Sequence, residues 1–420
     1  MREISAIFVL LLLSAAVFSG GCTGPETPSV VPEDGGNILI GALLPLSGEY
    51  AGGGEASRIA IEVAAGDIND YFASAGSDRR VGILVEDTRA DPAVALERLQ
   101  ALEGQGVRIV IGPGTSAELE AIREYADEHG ILIVSTMSTA PSLAIAGDNI
   151  YRLVPPDIYQ ADVMAYYLQK QGVTAIVPVW RGDVWGDELE RLTASAFMRG
   201  GGKVLDGVRY TPDQKDYGTV TADLDARVAR AVATNGEKRV AVYLVSLDEV
   251  EQVMEAAMVR ESLSKVRWYG CDGNVLLDGL VTGKSARFAE QTKFTCPALW
   301  KQESVAANTA TIQEMRERLG RHPDGYGLAA YDALWIATMA GMEAGSGDIV
   351  TLKAAFERGA GESGGPLFGP VRLNSAGDLS SAHYTFWTVS ADGGAYRWVP
   401  VVQYGIRSVG ATPEIEWVGA

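Results

Sequence analysis

The chain has 420 residues, too many for one ordinary core, so two or three units are expected at about 150 residues each. Its apolar fraction of 47 % and charged fraction of 21 % belong to a folded chain rather than a disordered one. Asp and Glu outnumber Lys and Arg by 54 to 35, a net charge of −19, and that field excludes nucleic acid or an anionic membrane surface as the main partner.

The N-terminal stretch "MREISAIFVLLLLSAAVFSGGC" sets Arg2 before an apolar run from Ile7 to Phe18, then Ser19, Gly20, Gly21 and Cys22. About a dozen apolar residues are too few for a spanning helix of roughly 20, and the layout is that of an export signal. Small residues directly before a cysteine resemble a lipoprotein signal over residues 1–22. In that reading Cys22 is lipidated and holds the mature chain on the outer face of the cytoplasmic membrane. Ser19 stands where leucine is usual, and plain secretion is the alternative. Residues 23–37, "TGPETPSVVPEDGGN", read as a flexible tether, being Pro/Gly-rich and aperiodic. No later segment is apolar enough to span a bilayer.

From residue 38 short apolar runs alternate with amphipathic stretches. "ILIGALLPL", "VGILVEDT", "VRIVIGP" and "ILIVST" read as strands, and helices fall between them. "DPAVALERLQALEGQG" opens on an Asp cap with Pro at the first helical position and closes on glycines. Continuous apolar strands separated by helices mean a parallel sheet covered on both faces. Two prolines, Pro155 and Pro156, interrupt the series, which then restarts: helix 157–171, "AIVPVW", helix 186–199, "VLDGVRY", a helix near 217–233, "RVAVYLVS", helix 248–263 and "VRWYGCD". A strand around "FTCPAL" and helices at 303–319 and 327–344 follow. "HYTFWTVS" and "YRWVPVVQYG", joined by "ADGGA", read as a hairpin, and "GAGESGGP" as a crossing linker. The fold class is therefore α/β, with two Rossmann-like units in one chain.

His129, His322 and His383 are scattered, so neither a metal site nor a His-based catalytic centre is expected, and no cofactor. Beyond Cys22 only Cys271 and Cys296 remain. In an exported chain such a pair favours a disulfide, here closing a loop of 25 residues, over two buried free thiols.

Ligands of open α/β sheets sit beyond the carboxyl ends of the strands. In the first series those ends carry "SGEYAGGG", "GTSAE" and "STMSTAPS": hydroxyls, glycines and helix starts, suited to a carboxylate. In the second they carry "RGDVWGDE", "SLDEV" and "CDGN": acids and a large aromatic, suited to an ammonium group. The opposition points to a zwitterion. Plainer readings exist for each: Ser116 and Ser138 as helix caps, Asp272 as the turn residue before Gly273, Trp185 as packing, Asp183 and Asp187 as caps. All six segments falling at one edge of two sheets favours a site. "GPGTSA" fits a loose dinucleotide pattern but lacks the acid expected about 20 residues on, and "TGKS" has Asp278 where a phosphate loop needs its first glycine. An enzyme is not expected.

The stretches "IGALLPLSGEYAGGG", "EDTRADPAVALERLQ", "VIGPGTSAE", "ILIVSTMSTAPSLA", "YRLVPPDIYQ", "WGDE", "YGCDGN", "AAYDALWIA" and "GPLFGPVRLNSAGD" resemble, in order, the type I periplasmic binding proteins of ABC importers, in particular the branched-chain amino acid (Leu/Ile/Val) branch. The resemblance implies two lobes joined by three hinge crossings, residues 38–155 with 281–366 and residues 156–280 with 367–420. It implies an extracytoplasmic substrate-binding component, acting as a monomer with permease subunits in the membrane. Carried onto this sequence, Ser116, Met137, Ser138 and Thr139 take the ligand carboxylate. Trp185 covers the ligand, Asp272 pairs with its ammonium, and Tyr50 and Ser246 complete the set. Asp272 is one methylene shorter than the glutamate many members carry. A receptor for a neutral amide, urea or aromatic acid, a ligand-sensing partner of a signalling protein and an exported hydrolase are the alternatives.

Overall fold

The first apolar run forms β1 (Ile38–Leu44), and its side chains divide between two cores. Ile38, Ile40, Ala42 and Leu44 face one, Leu43 the other. Alternation with no polar face marks a strand covered on both sides. The computed structural model describes residues 37–299, 309–345 and 348–418; the signal segment, Cys22 and residues 23–36 lie outside the described residues.

After β1 come α1 (Ala51–Ser74), β2 (Val81–Asp87), α2 (Pro92–Gly104), β3 (Ile109–Ile111), α3 (Ser116–Glu128), β4 (Leu132–Ser135) and β5 (Ile150–Arg152). The five strands are parallel in the order β2-β1-β3-β4-β5. The order reverses between β1 and β3, which opens a crevice beyond their carboxyl ends.

The chain then runs through α4 (Asp157–Lys170), β6 (Ala175–Arg181), α5 (Val184–Arg199), β7 (Lys203–Val204), β8 (Val208–Tyr210), α6 (Gly218–Asn235), β9 (Val240–Val245), α7 (Val250–Ala257), β10 (Arg267–Tyr269), α8 (Gly279–Thr282), α9 (Ala286–Gln291) and β11 (Thr295–Leu299). Here β7-β6-β9-β10-β11 repeat the same parallel order, with the reversal between β6 and β9. Next are α10 (Thr309–Leu319), α11 (Gly325–Ala344) and α12 (Ile349–Arg358), and α10 and α11 pack on α1 of the first unit. Last come β12 (Ala382–Asp392), β13 (Ala395–Ile406) and β14 (Glu414–Val418), which extend the second sheet antiparallel from β11.

Several expectations need correction. Residues 281–299 lie with the second unit, because β11 pairs with β10 and β12; the return to the first unit follows Leu299, not residue 280. Phe294, Cys296 and Ala298 are buried, as are Trp268 and Phe288 of the same unit. The strand "VLDGVRY" breaks into β7 and β8, both on β6. The helix expected over 248–263 ends at Ala257. Gly359–Ser363 continue α12 as a π-turn before the crossing.

The expected disulfide does not form; Cys271 and Cys296 are free and buried. Tyr269 stands opposite Thr295, which puts Cys296 opposite Gly270. Cys296 therefore shares the face of Trp268, whereas Cys271, one residue on, shares the face of Tyr269. Thiols on opposite faces of a sheet cannot meet disulfide geometry. The Cys271 thiol donates instead to the Ser246 carbonyl at 3.4 Å.

Two of the crossings are clasped together. Arg152 Nε and Nη2 donate to Asp378 Oδ1 and Oδ2 at 2.6 and 2.7 Å, both side chains 1 % exposed. Arg152 N donates to the Gly377 carbonyl at 2.9 Å, and Arg152 Nη1 to the Ala140 carbonyl at 2.6 Å.

Candidate functional site

The two reversal points face each other, and a cavity of about 30 Å³ lies between them. Hydrogen bonds from Tyr326 OH to Asp272 and from Ser142 N to Glu188 cross between the units, so the lobes stand closed. From the first unit it is lined by Tyr50, Gly114, Thr115, Ser116, Ala117, Met137, Thr139 and Tyr326. From the second come Asp183, Trp185, Leu247, Asp272 and Gly273.

On the first side Thr115, not Ser116, caps α3. Its Oγ1 accepts from Glu118 N at 3.2 Å while Glu118 Oε2 accepts from Thr115 N at 2.7 Å, a closed capping box. Ser116 is thereby left at the first helical position with its hydroxyl directed at the β4 loop. Its Oγ lies 2.9 Å from Ser138 Oγ and accepts from Ala140 N at 3.2 Å. The helix start and the hydroxyls beside it make this wall receptive to negative charge. Ser135 holds the turn by accepting from Ser138 N at 3.2 Å.

On the opposite side Asp272 is 5 % exposed and follows β10. Its Oδ1 accepts from Gly273 N at 3.0 Å, so the turn role is real, and its Oδ2 accepts a short bond from Tyr326 OH across the cleft. Asp272 N donates to Gln160 Oε1 at 2.9 Å, and Gln160 Nε2 donates to Asp157 Oδ1 at 3.1 Å. Burial pushes the Asp272 carboxyl above its usual range, while bonds from Tyr326, Gln160 and Gly273 pull it back. Asp157 is pushed well up by burial and then by the Asp272 charge. The buried Asp272 carboxyl at the cavity, with Asp157 behind Gln160, makes this wall receptive to positive charge.

Aromatic rings close the remaining space. Trp185 sits in the first turn of α5, which Asp183 caps by accepting from Gly186 N at 2.9 Å. Asp187 is no cap; it pairs with Arg209 at 2.7 Å. Gly273 is required below the indole, since a Cβ there would stand 2.9 Å from Trp185 Cη2 and 2.7 Å from the Ser246 carbonyl. Tyr50 meets Tyr326 edge to face at 6.4 Å. Gly54 lets α1 start against β1, since a Cβ would lie 2.1 Å from the Pro45 carbonyl. Among the described residues no group of His, Cys, Asp or Glu is arranged to hold a metal ion.

The model of the periplasmic binding protein family matches residues 37–395. This chain belongs to that family. An uncharacterized protein of Methanocaldococcus jannaschii is 28 % identical to it over 407 residues, 91 % of this chain and 94 % of the relative. The Leu/Ile/Val/Thr-binding protein of Salmonella typhimurium is 25 % identical over 365 residues, 86 % and 93 % of the two chains. Among solved structures, a leucine binding protein from Thermotoga maritima superposes with a TM-score of 0.70 at 18 % identity, covering 88 % of this chain and 99 % of that one. The fold is that of a type I periplasmic binding protein.

In this binding protein Tyr50, Ser116, Met137, Thr139, Trp185 and Asp272 converge on one cavity. Two expected residues do not line it. Ser138 stands behind Ser116 and reaches the cavity only through that hydroxyl. Ser246 is turned away: its Oγ accepts from Asn274 Nδ2 at 2.9 Å, and Leu247 takes the cavity face. Tyr326 was not anticipated. It opens α11, capped by Asp324 through Gly327 N at 2.8 Å, and lies 54 residues from its partner Asp272. The "PDGYG" helix start was the available signal, but its place in space was not readable.

Proposed function

We propose that this binding protein is the extracytoplasmic substrate-binding component of an ABC importer and takes a small aliphatic amino acid between its lobes. One observation carries the reading. A wall of hydroxyls and helix-start N–H groups around Ser116 and Thr139 faces a wall of buried carboxyl around Asp272 across a single cavity. The ligand carboxylate lies against Ser116, Ala117 and Thr139, and its ammonium against Asp272. Trp185, Leu247 and Met137 take the side chain. The lobes part to admit the ligand and reclose over it. The kinship with Leu/Ile/Val-binding proteins supports the aliphatic choice. The mature chain works as a monomer, anchored through Cys22, and presents its closed form to permease subunits.

A second reading, an aromatic acid or neutral amide, draws on Tyr50, Trp185 and Tyr326 together in the walls and on an Asp272 carboxyl raised by burial. A thermal-shift screen over the twenty amino acids, simple amides and benzoic acids separates the two. Stabilisation by several degrees with leucine, isoleucine, valine or alanine supports the amino acid reading. Response to benzoates or amides alone replaces it with the second, and silence throughout rejects both.

A further inference from the structure

Arg181, at the end of β6, has a side chain only 6 % exposed that touches three carboxylates. Nε donates to Asp183 Oδ2 at 2.5 Å and Nη1 to Glu249 Oε1 at 2.9 Å, both within the second unit. Nη2 donates to Glu49 Oε2 at 3.2 Å, in the loop between β1 and α1 of the first unit. Each partner is tied to a wall of the cavity. Asp183 caps the helix that carries Trp185. Glu249 Oε2 accepts from Leu247 N at 2.9 Å, and Glu249 Oε1 also accepts from Tyr210 OH at 2.9 Å. Glu49 immediately precedes Tyr50.

We propose that Glu49 and Arg181 form an inter-lobe latch that holds the closed state and slows ligand release. The bonds to Asp183 and Glu249 are internal to the second unit and persist when the lobes part. Only the Glu49 bond has to form on closure and break on opening. Arg181 is therefore presented ready-made, its orientation fixed by two internal carboxylates. Glu49, 40 % exposed, remains open to salt while its partner is buried. Neither side chain lines the cavity, so both are positioning residues whose effect falls on opening rather than on ligand chemistry. The contact from Ser142 N to Glu188 Oε2 at 3.0 Å also spans the cleft, but it offers one charge, not a pair.

The test uses the full chain with Glu49→Gln and Glu49→Lys, and rests on the amino acid reading only for its first probe, L-leucine. Stopped-flow release of leucine should quicken about three- to tenfold in Glu49→Gln and further in Glu49→Lys, with association little changed. Wild-type release should quicken between about 20 and about 500 mM salt, and Glu49→Gln release should not. In a second arm without ligand, small-angle scattering at low salt should give a larger radius of gyration for Glu49→Lys than for wild type. Failure of wild type to bind leucine would count against the amino acid reading alone, and scattering would then decide the latch. Release rates within about 1.5-fold of wild type with unchanged salt dependence overturn the proposal. Where leucine does not bind, equal radii overturn it.

Discussion

Asp272 shows how one residue carries both a turn and a charge. Its Oδ1 holds Gly273 N, and its Oδ2 meets Tyr326 at the cavity. A buried ammonium left without its carboxylate costs about 3–5 kcal/mol, so Asp272→Ala should weaken leucine binding by about two orders of magnitude or more in calorimetric titration. A change under about threefold would remove Asp272 from the site. An ammonium needs the ionised carboxylate, so affinity is lost as pH falls through the Asp272 pKa. The Tyr326 hydroxyl lowers that pKa. Tyr326→Phe should therefore move the acid limb of binding to higher pH, measured as Kd across pH 4–8. An unshifted limb would mean that the Tyr326 bond does not tune the carboxylate. Asp272 was legible from the sequence only through its place at a strand end in line with five other polar segments, since the turn before Gly273 explains an acid there equally well. Tyr326 was not, because only folding brings α11 across the cleft.

The start of α3 separates structure from recognition between adjacent residues. Thr115 closes the capping box, and Ser116 lines the cavity. Thr115→Ala should lower stability by about 1 kcal/mol in urea unfolding. Ser116→Ala frees the buried Ala140 N and so also costs stability, but unlike Thr115→Ala it should raise the Kd for leucine about tenfold or more, the value of a bond to a charged group. A Kd for leucine unchanged by Ser116→Ala would return Ser116 to a purely structural role. From the sequence either hydroxyl fits the cap, since they are neighbours before the same apolar pattern. The choice is made by the backbone: Thr115 is extended, with φ −113° and ψ 158°, and Ser116 is already helical.

At the scale of the molecule the buried Arg152–Asp378 pair ties the first crossing to the third. Arg152→Met leaves Asp378 as an uncompensated buried charge and should cost about 3–5 kcal/mol of unfolding free energy. Arg152→Met with Asp378→Leu should recover most of that loss, because apolar partners of similar size replace the pair. A double variant as unstable as the single would show that the bonds to Ala140 and Gly377, not the charges, hold the clasp.

Local pattern was enough for the two βα series, their parallel sheets and most cavity residues, because continuous apolar runs and helix starts are decided by neighbours a few residues away. The two matching strand orders, each with a reversal point, follow from packing that one series cannot report about the other. The same holds for β11, whose apolar run suits either sheet and pairs with β10 and β12 of the second. Strand register likewise sets Cys271 and Cys296 on opposite faces, and the turn after β9 presents Leu247 in place of Ser246. Such choices rest on a one-residue phase between distant segments, which side-chain alternation fixes only once the strands have paired.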